Sequence, residues 1–192
     1  MMEHVSVPKG EPTTERVQIN TPEELDTLKD NIVLDDDGMI AILGKRFILT
    51  PQDTFSDMMR AAADLGGINL ARVFMRRAGF EAAYKVSLSM IEKLGLSGEA
   101  LVRHYTRTGG KRGWSFGEVE VFDGKKGLFL CRAPYSPFVI RFTEKSRVPV
   151  CDFLAGAFEA MCNAAGFPNI RIIETQCIAK GDPMCVFENK KE

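Results

Sequence analysis

Residues Glu174–Lys190 read "ETQCIAKGDPMCVFENK". The flanks "ETQCIA" and "MCVFE" have strand character and "KGDP" between them is a turn signal, so the stretch reads as a hairpin centred on Gly181 with Cys177 opposite Cys185. Immediately upstream, "PVCDFLAGAFEAMCNAAG" switches to helical spacing, with Leu154, Phe158 and Met161 on one side and Gly166 as the stop. Before that helix the period is two. "GEVEVF" alternates Val119 and Val121 with Glu118 and Glu120, Asp123-Gly124 supplies a turn, and "GLFLC" and "PFVIRF" follow as further strands of an antiparallel meander.

Working back toward the N-terminus, the chain is helical again. Phe55, Met58, Met59, Ala62 and Leu65 keep helical spacing until "LGG" closes the run, and a second helix is expected from about Ile68 to Leu94. Its apolar stripe reads Leu70, Phe74, Ala83, Val86, Met90 and Leu94, with Gly79 and Ala82 small enough for close helix contact. A shorter helix starts near Ser97 and carries Leu101, Val102 and His104. "MIAIL" and "RFILT" around Gly44 and Lys45 suggest a strand pair, and "TPEE" at Thr21 is a helix start. Residues 1–20 are polar and aperiodic, which reads as a flexible arm ahead of one domain over 21–192. Helices and strands are segregated, so the expected class is α+β: an antiparallel sheet packed with helices.

Of the 192 residues, 45% are apolar and 27% charged, with a net charge of -1, a composition typical of globular chains. Near-neutrality removes the basic footprint that nucleic acid requires. No uncharged apolar run approaches the roughly 18 residues of a membrane span, and the N-terminus lacks the apolar core of a signal peptide. The expectation is a cytoplasmic protein. In a reducing compartment, the five cysteines at 131, 151, 162, 177 and 185 argue for buried thiols, metal ligation or redox chemistry rather than disulfides.

Two spacings constrain the cysteines. Cys162 follows Cys151 by eleven positions, nearly the same helix face but about 16 Å further along the axis, so the two cannot share a site. Glu174 and Cys177 are three apart, which in a regular strand points them to opposite faces; a bulge near Thr175 or Gln176 would bring them together. Cys151, Glu174, Cys177 and Cys185 could then surround a tetrahedral Zn2+. On residues alone, small buried hydrophobes, a zinc site and a redox pair all remain open.

"PVCDFLAGAFEA" followed by "ETQCIAKGDPMCVFE" resembles the vinyl-4-reductase family of domains, and the upstream "ARVFMRRAGFEAAYK" is similar to that family's long helix, so the resemblance spans 39–189. In phenol-sensing members a Cys, a Glu 23 residues later, a Cys after 3 and a Cys after 8 hold zinc, and Cys151, Glu174, Cys177 and Cys185 reproduce that spacing. The resemblance implies structural Zn2+ clipping the terminal hairpin, an α+β fold around an apolar cavity, and a homodimer. Those relatives touch their ligand with a His and a Trp. His104 and Trp114 are the ligand-binding candidates this chain offers, but neither stands at the family's distance from Cys151, so phenol itself is not expected.

The function so implied is binding or sensing of a small hydrophobic or aromatic molecule. No phosphate-loop or dinucleotide fingerprint occurs in the sequence, so output is expected to pass to a separate regulatory partner protein. Two alternatives follow from the same family: a tetrapyrrole vinyl reductase or accessory factor, for which no hydride source is legible, and an interaction scaffold resembling vesicle-tethering subunits. No catalytic residues are assigned.

Overall fold

The computed structural model describes residues 32–34, 38–42, 45–111, 113–114, 116–142 and 146–189. The expected N-terminal arm and the helix at Thr21 lie outside the described residues. The first elements are three short antiparallel strands, β1 (Ile32–Leu34), β2 (Ile40–Ile42) and β3 (Lys45–Phe47), in the order β1-β2-β3. The pair expected around Gly44 is β2 with β3.

The two expected helices after Thr50 form one bent helix, α1 (Thr54–Leu94), with the break at Gly67, whose φ of 79° and ψ of 159° are non-helical. A side chain at that φ would be strained, so glycine is what lets the chain turn there without leaving its helical course. Gly95 ends α1 in the left-handed conformation, and α2 (Gly98–Lys111) follows.

The stripe of α1 is rotated from its expected position. Leu70 and Phe74 are 58% and 50% exposed, whereas Ala71, Met75, Gly79, Ala83 and Ser87 are buried. Those five recur every fourth residue, the ridge that packs helix against helix, and small members let the backbones approach. Gly79 touches the backbone of Phe153, and in return Gly156 touches the backbone of Arg76. Close approach outweighs side-chain size in choosing the buried face.

The second sheet has four antiparallel strands in the order β4 (Phe116–Asp123), β5 (Leu128–Tyr135), β7 (Cys185–Asn189), β6 (Ile172–Gln176). Along β5, Phe129, Cys131 and Ala133 alternate into the core. On β4, Val119 is buried but Val121 is 42% exposed, because a register shift between them reverses the alternation. "PFVIRF" is not a strand: Pro137–Val139 is a 3-10 turn in which Ser136 Oγ accepts from the Phe138 N–H. Proline at the first turn position and a serine cap end the sheet there.

α3 (Asp152–Ala164) lies between α1 and the sheet, and every residue from Asp152 to Cys162 is buried. Phe158 packs its ring on Phe129 and Phe187 of the sheet, while Gly156 faces α1. A helix apolar on all sides is stable only in such a position. Its charged residues are paired: Arg72 donates to Asp152, and Arg76 donates to Glu159 and to the Ile172 carbonyl.

Candidate functional site

Each residue of the cysteine-glutamate cluster is placed by the end of an element. Cys151 is the N-cap of α3, Cys185 opens β7, and Cys177 caps the 3-10 turn Ile178–Lys180 that follows β6. Glu174 lies within β6, where a register shift between Glu174 and Gln176 interrupts the pairing with β7. That is the bulge the sequence required. It puts one extra residue, Thr175, into β6, so that Glu174 and Cys177 meet.

The four ligand atoms lie within 4.8 Å of one another, and Cys162 is not among them. The Cys151 and Cys185 sulfurs are 3.7 Å apart. A disulfide needs roughly 2.05 Å. A tetrahedral site with metal–sulfur bonds of about 2.3 Å separates its sulfurs by roughly 3.8 Å. All five cysteines are free thiols.

Electrostatics favour a cation. Glu174 Oε2 accepts from the Cys151 N–H at 2.8 Å, at the positive end of α3, while Oε1 is buried without a hydrogen-bond partner. Burial pushes the Glu174 carboxyl up to about 8, with the Cys177 charge adding to it. Burial likewise raises the Cys151 thiol well above its ordinary range, reinforced by hydrogen bonds with Cys177 and Cys185. Hydrogen bonds from Cys151 and Cys185 hold the Cys177 thiol far below its ordinary range. The cluster therefore concentrates anionic donors that burial drives toward neutrality, and a divalent ion replacing their protons resolves the conflict. This donor set can hold a metal ion. Two supporting groups were not legible in the sequence: Ser136 Oγ, 3.2 Å from the Cys151 sulfur, and Asp182, which accepts from the Cys177 N–H at 2.8 Å.

The other end of the same helix face opens onto a cavity of about 310 Å3. Its floor is α3, through Phe153, Leu154, Ala157 and Phe158; its walls are Ala82, Ala83, Lys85 and Val86 of α1 and Tyr105, Thr106 and Gly109 of α2. Gly117 of β4 and Arg46 and Phe47 of β3 complete it with Trp114. Space exists because small residues, Ala82, Ala83, Gly109, Gly117 and Ala157, meet from four elements. Ala82, expected at a helix contact, is exposed and lines the cavity instead.

Of the two ligand candidates, Trp114 lines the cavity, stacked on Phe153 with centroids 5.2 Å apart. His104 is half-buried on α2 and is not part of the lining, whereas its neighbours Tyr105 and Thr106 are. The remaining lining residues carried no sequence signal, since alanines and glycines at helix positions read first as packing. Among the described residues no helix is long and apolar enough to cross a membrane.

Comparison with known proteins supports this picture. Residues 135–191 match the model of the vinyl-4-reductase domain. The chain is 33% identical over 82 residues to the bacteriochlorophyll synthase 23 kDa chain of Cereibacter sphaeroides, an overlap of 41% of this chain and 37% of that one. It thus spans little more than a third of the length of that curated relative. The crystal structure of the phenol-responsive sensory domain of the transcription activator PoxR with phenol superposes with a TM-score of 0.70 at 17% identity, covering 87% of this chain and 88% of that domain. Trafficking protein particle complex subunit 3 from Naegleria fowleri, covalently bound to palmitic acid, superposes with a TM-score of 0.53 at 10% identity over 73% of this chain and 95% of that one. Residues 135–191, which carry the whole cysteine-glutamate cluster, are therefore a domain of the vinyl-4-reductase family, set in an α+β fold shared with the phenol-responsive sensory domain.

Proposed function

We propose that the protein is a zinc-containing small-molecule binding and sensing domain, in which Cys151, Glu174, Cys177 and Cys185 hold a structural Zn2+ and the cavity above α3 receives a hydrophobic or aromatic molecule. The observation that carries this reading is the joint use of α3: its first residue's cap, Cys151, belongs to the cluster, and its next turns form the cavity floor. Three sulfurs and one carboxylate suit zinc, and four protein ligands leave no open position for catalysis. The orphaned Glu174 Oε1 supplies the fourth donor. Zinc there fastens the β6–β7 hairpin to the N-terminus of α3 and so fixes the cavity floor.

In this reading the protein is a cytoplasmic homodimer and passes its state to a separate regulatory partner protein. The exposed apolar residues on the outer face of α1, Leu65, Leu70, Val73 and Phe74, are consistent with pairing of two copies. Elemental analysis of folded, unstripped protein tests the metal, with one zinc per chain expected and well under one equivalent refuting it. Ligand-induced thermal shifts test the cavity. The likeness to the bacteriochlorophyll synthase chain favours a second reading, an accessory role in tetrapyrrole metabolism. Spectral conversion of a vinyl tetrapyrrole by the purified protein with reductant would put that reading first.

A further inference from the structure

The charged groups of the cavity lining are both cations. Arg46 on β3 and Lys85 on α1 come to the mouth from opposite sides, both exposed, and no carboxylate side chain is among the described lining residues. Below them the lining is aromatic or aliphatic, with Phe47, Val86, Trp114, Phe153, Leu154 and Phe158 enclosing the space. A neutral apolar guest would gain nothing from two cations at its entrance. The pattern is that of a site that buries a hydrocarbon body and meets a negative head group at the rim, where long basic side chains keep their charges in water while their stems cover apolar surface.

We infer that the ligand is a small amphiphilic carboxylate, its apolar part between Trp114 and the α3 floor and its carboxylate between Arg46 and Lys85. The inference rests on the cavity being a binding site and adds the ligand's charge class. Guanidinium and ammonium differ usefully here: Arg46 offers a planar fork for two carboxylate oxygens, and Lys85 a movable point charge that accommodates bodies of different length. Arg46 reaches the cavity on β3, so a bound carboxylate would also tie the first sheet to α1. The ligand's charge then has a structural consequence that a neutral guest could not produce.

The chain has a single tryptophan, and it lines the cavity, so intrinsic fluorescence reports occupancy directly. Two matched pairs serve as probes, decanoate against 1-decanol and 2-naphthoate against 2-naphthol, titrated into the intact protein at neutral pH. A charge-assisted hydrogen bond at a partly hydrated rim corresponds to about a tenfold preference for the acid over the alcohol. That preference should shrink with added salt and vanish in the R46Q/K85Q double variant, which should bind both members of a pair equally. Both replaced side chains are exposed, and an unchanged thermal melt of the unliganded variant checks that the fold is intact. Equal binding of acid and alcohol by the wild-type protein, or an acid preference that survives in the double variant, overturns the charge class while leaving the cavity as a binding site. Absence of any saturable fluorescence change with all four probes overturns both readings.

Discussion

Replacing Gly79 by alanine sets two effects against each other, and the geometry decides the sign. In an ordinary helix interior the change would stabilise, by about 1 kcal/mol, because alanine loses less backbone entropy than glycine. At this crossing a Cβ on Gly79 would overlap the Phe153 carbonyl oxygen and stand 2.8 Å from its carbon and 3.0 Å from its Cα. These are backbone atoms of a helix buried on every side, so no side-chain rotation relieves the overlap. The helices must part by several tenths of an ångström or more, and a radial gap of 0.5–1 Å forfeits about a quarter to a half of each dispersion contact along the seam. Overpacking of this kind costs roughly 1–3 kcal/mol, and here it also stretches the Arg72–Asp152 and Arg76–Glu159 pairs that span the same crossing.

The net expectation for G79A is a loss of about 2 kcal/mol, or a Tm fall of about 4–8 °C for a chain of this size. Urea denaturation followed by circular dichroism measures it. Gly156→Ala, which meets the Arg76 backbone from the other side, should behave alike, and the double variant should cost less than the sum because one separation accommodates both. A G79A protein as stable as the parent, or more so, would show that α1 and α3 do not approach as described, and the rotated stripe of α1 would lose its explanation.

Removing metal with a strong chelator should lower the Tm and increase proteolysis within the β6–β7 hairpin, and Cys185→Ser should reproduce this with less than one equivalent of zinc retained; an unchanged melt and cleavage pattern would refute a structural ion. Arg76→Ala should cost about 3 kcal/mol in chemical denaturation, because Glu159, 5% exposed, and Asp152 are left buried with reduced pairing, whereas Arg76→Met, which retains the packing of the stem, should cost less. Burial pushes the Cys131 and Cys162 thiols up from an ordinary 9.0 to about 12. The folded state thus favours their neutral form, so their contribution is fully present below pH 9 and is lost as pH rises from 9 to 12; substituting both by alanine should flatten the alkaline limb of a pH–stability curve over that window. Ala157→Phe places a ring into the cavity floor and should abolish ligand-induced thermal shifts while leaving zinc content unchanged.

Local chemistry made much of this fold legible in the sequence, and tertiary contact hid the rest. The break at Gly67, the strands flanking Asp123-Gly124 and the buried helix before Gly166 each depend on a few neighbouring residues, so glycine, turn and period signals placed them. The bulge near Thr175 was legible for a different reason: two candidate ligands three apart in a strand conflict with its alternation, and an extra residue is what reconciles them. By contrast, the strand expected at "PFVIRF" failed because Ser136 capping of a proline-initiated turn outweighed β-branched composition. The face of α1 was misjudged because hydrophobicity ranks Leu70 and Phe74 above Gly79, while the space available beside α3 ranks them the other way. The cavity was the least legible feature, since an absence of side-chain volume contributed by four elements leaves no pattern in any one of them.

These two kinds of feature meet in α3, and their meeting constrains how the domain can signal. A metal that fixes Cys151 fixes the axial position of α3, and the Gly79 and Gly156 contacts fix its distance from α1. What remains free to respond to a guest is the opposite rim, where β3, Trp114 and α2 close over the cavity. In the proposed reading, a ligand therefore acts by drawing the rim onto a floor that does not move. Zinc removal would loosen that floor and weaken ligand affinity without touching a single lining residue, whereas rim substitutions would change affinity and leave the metal in place. That asymmetry distinguishes a metal that supports the site from one that belongs to it.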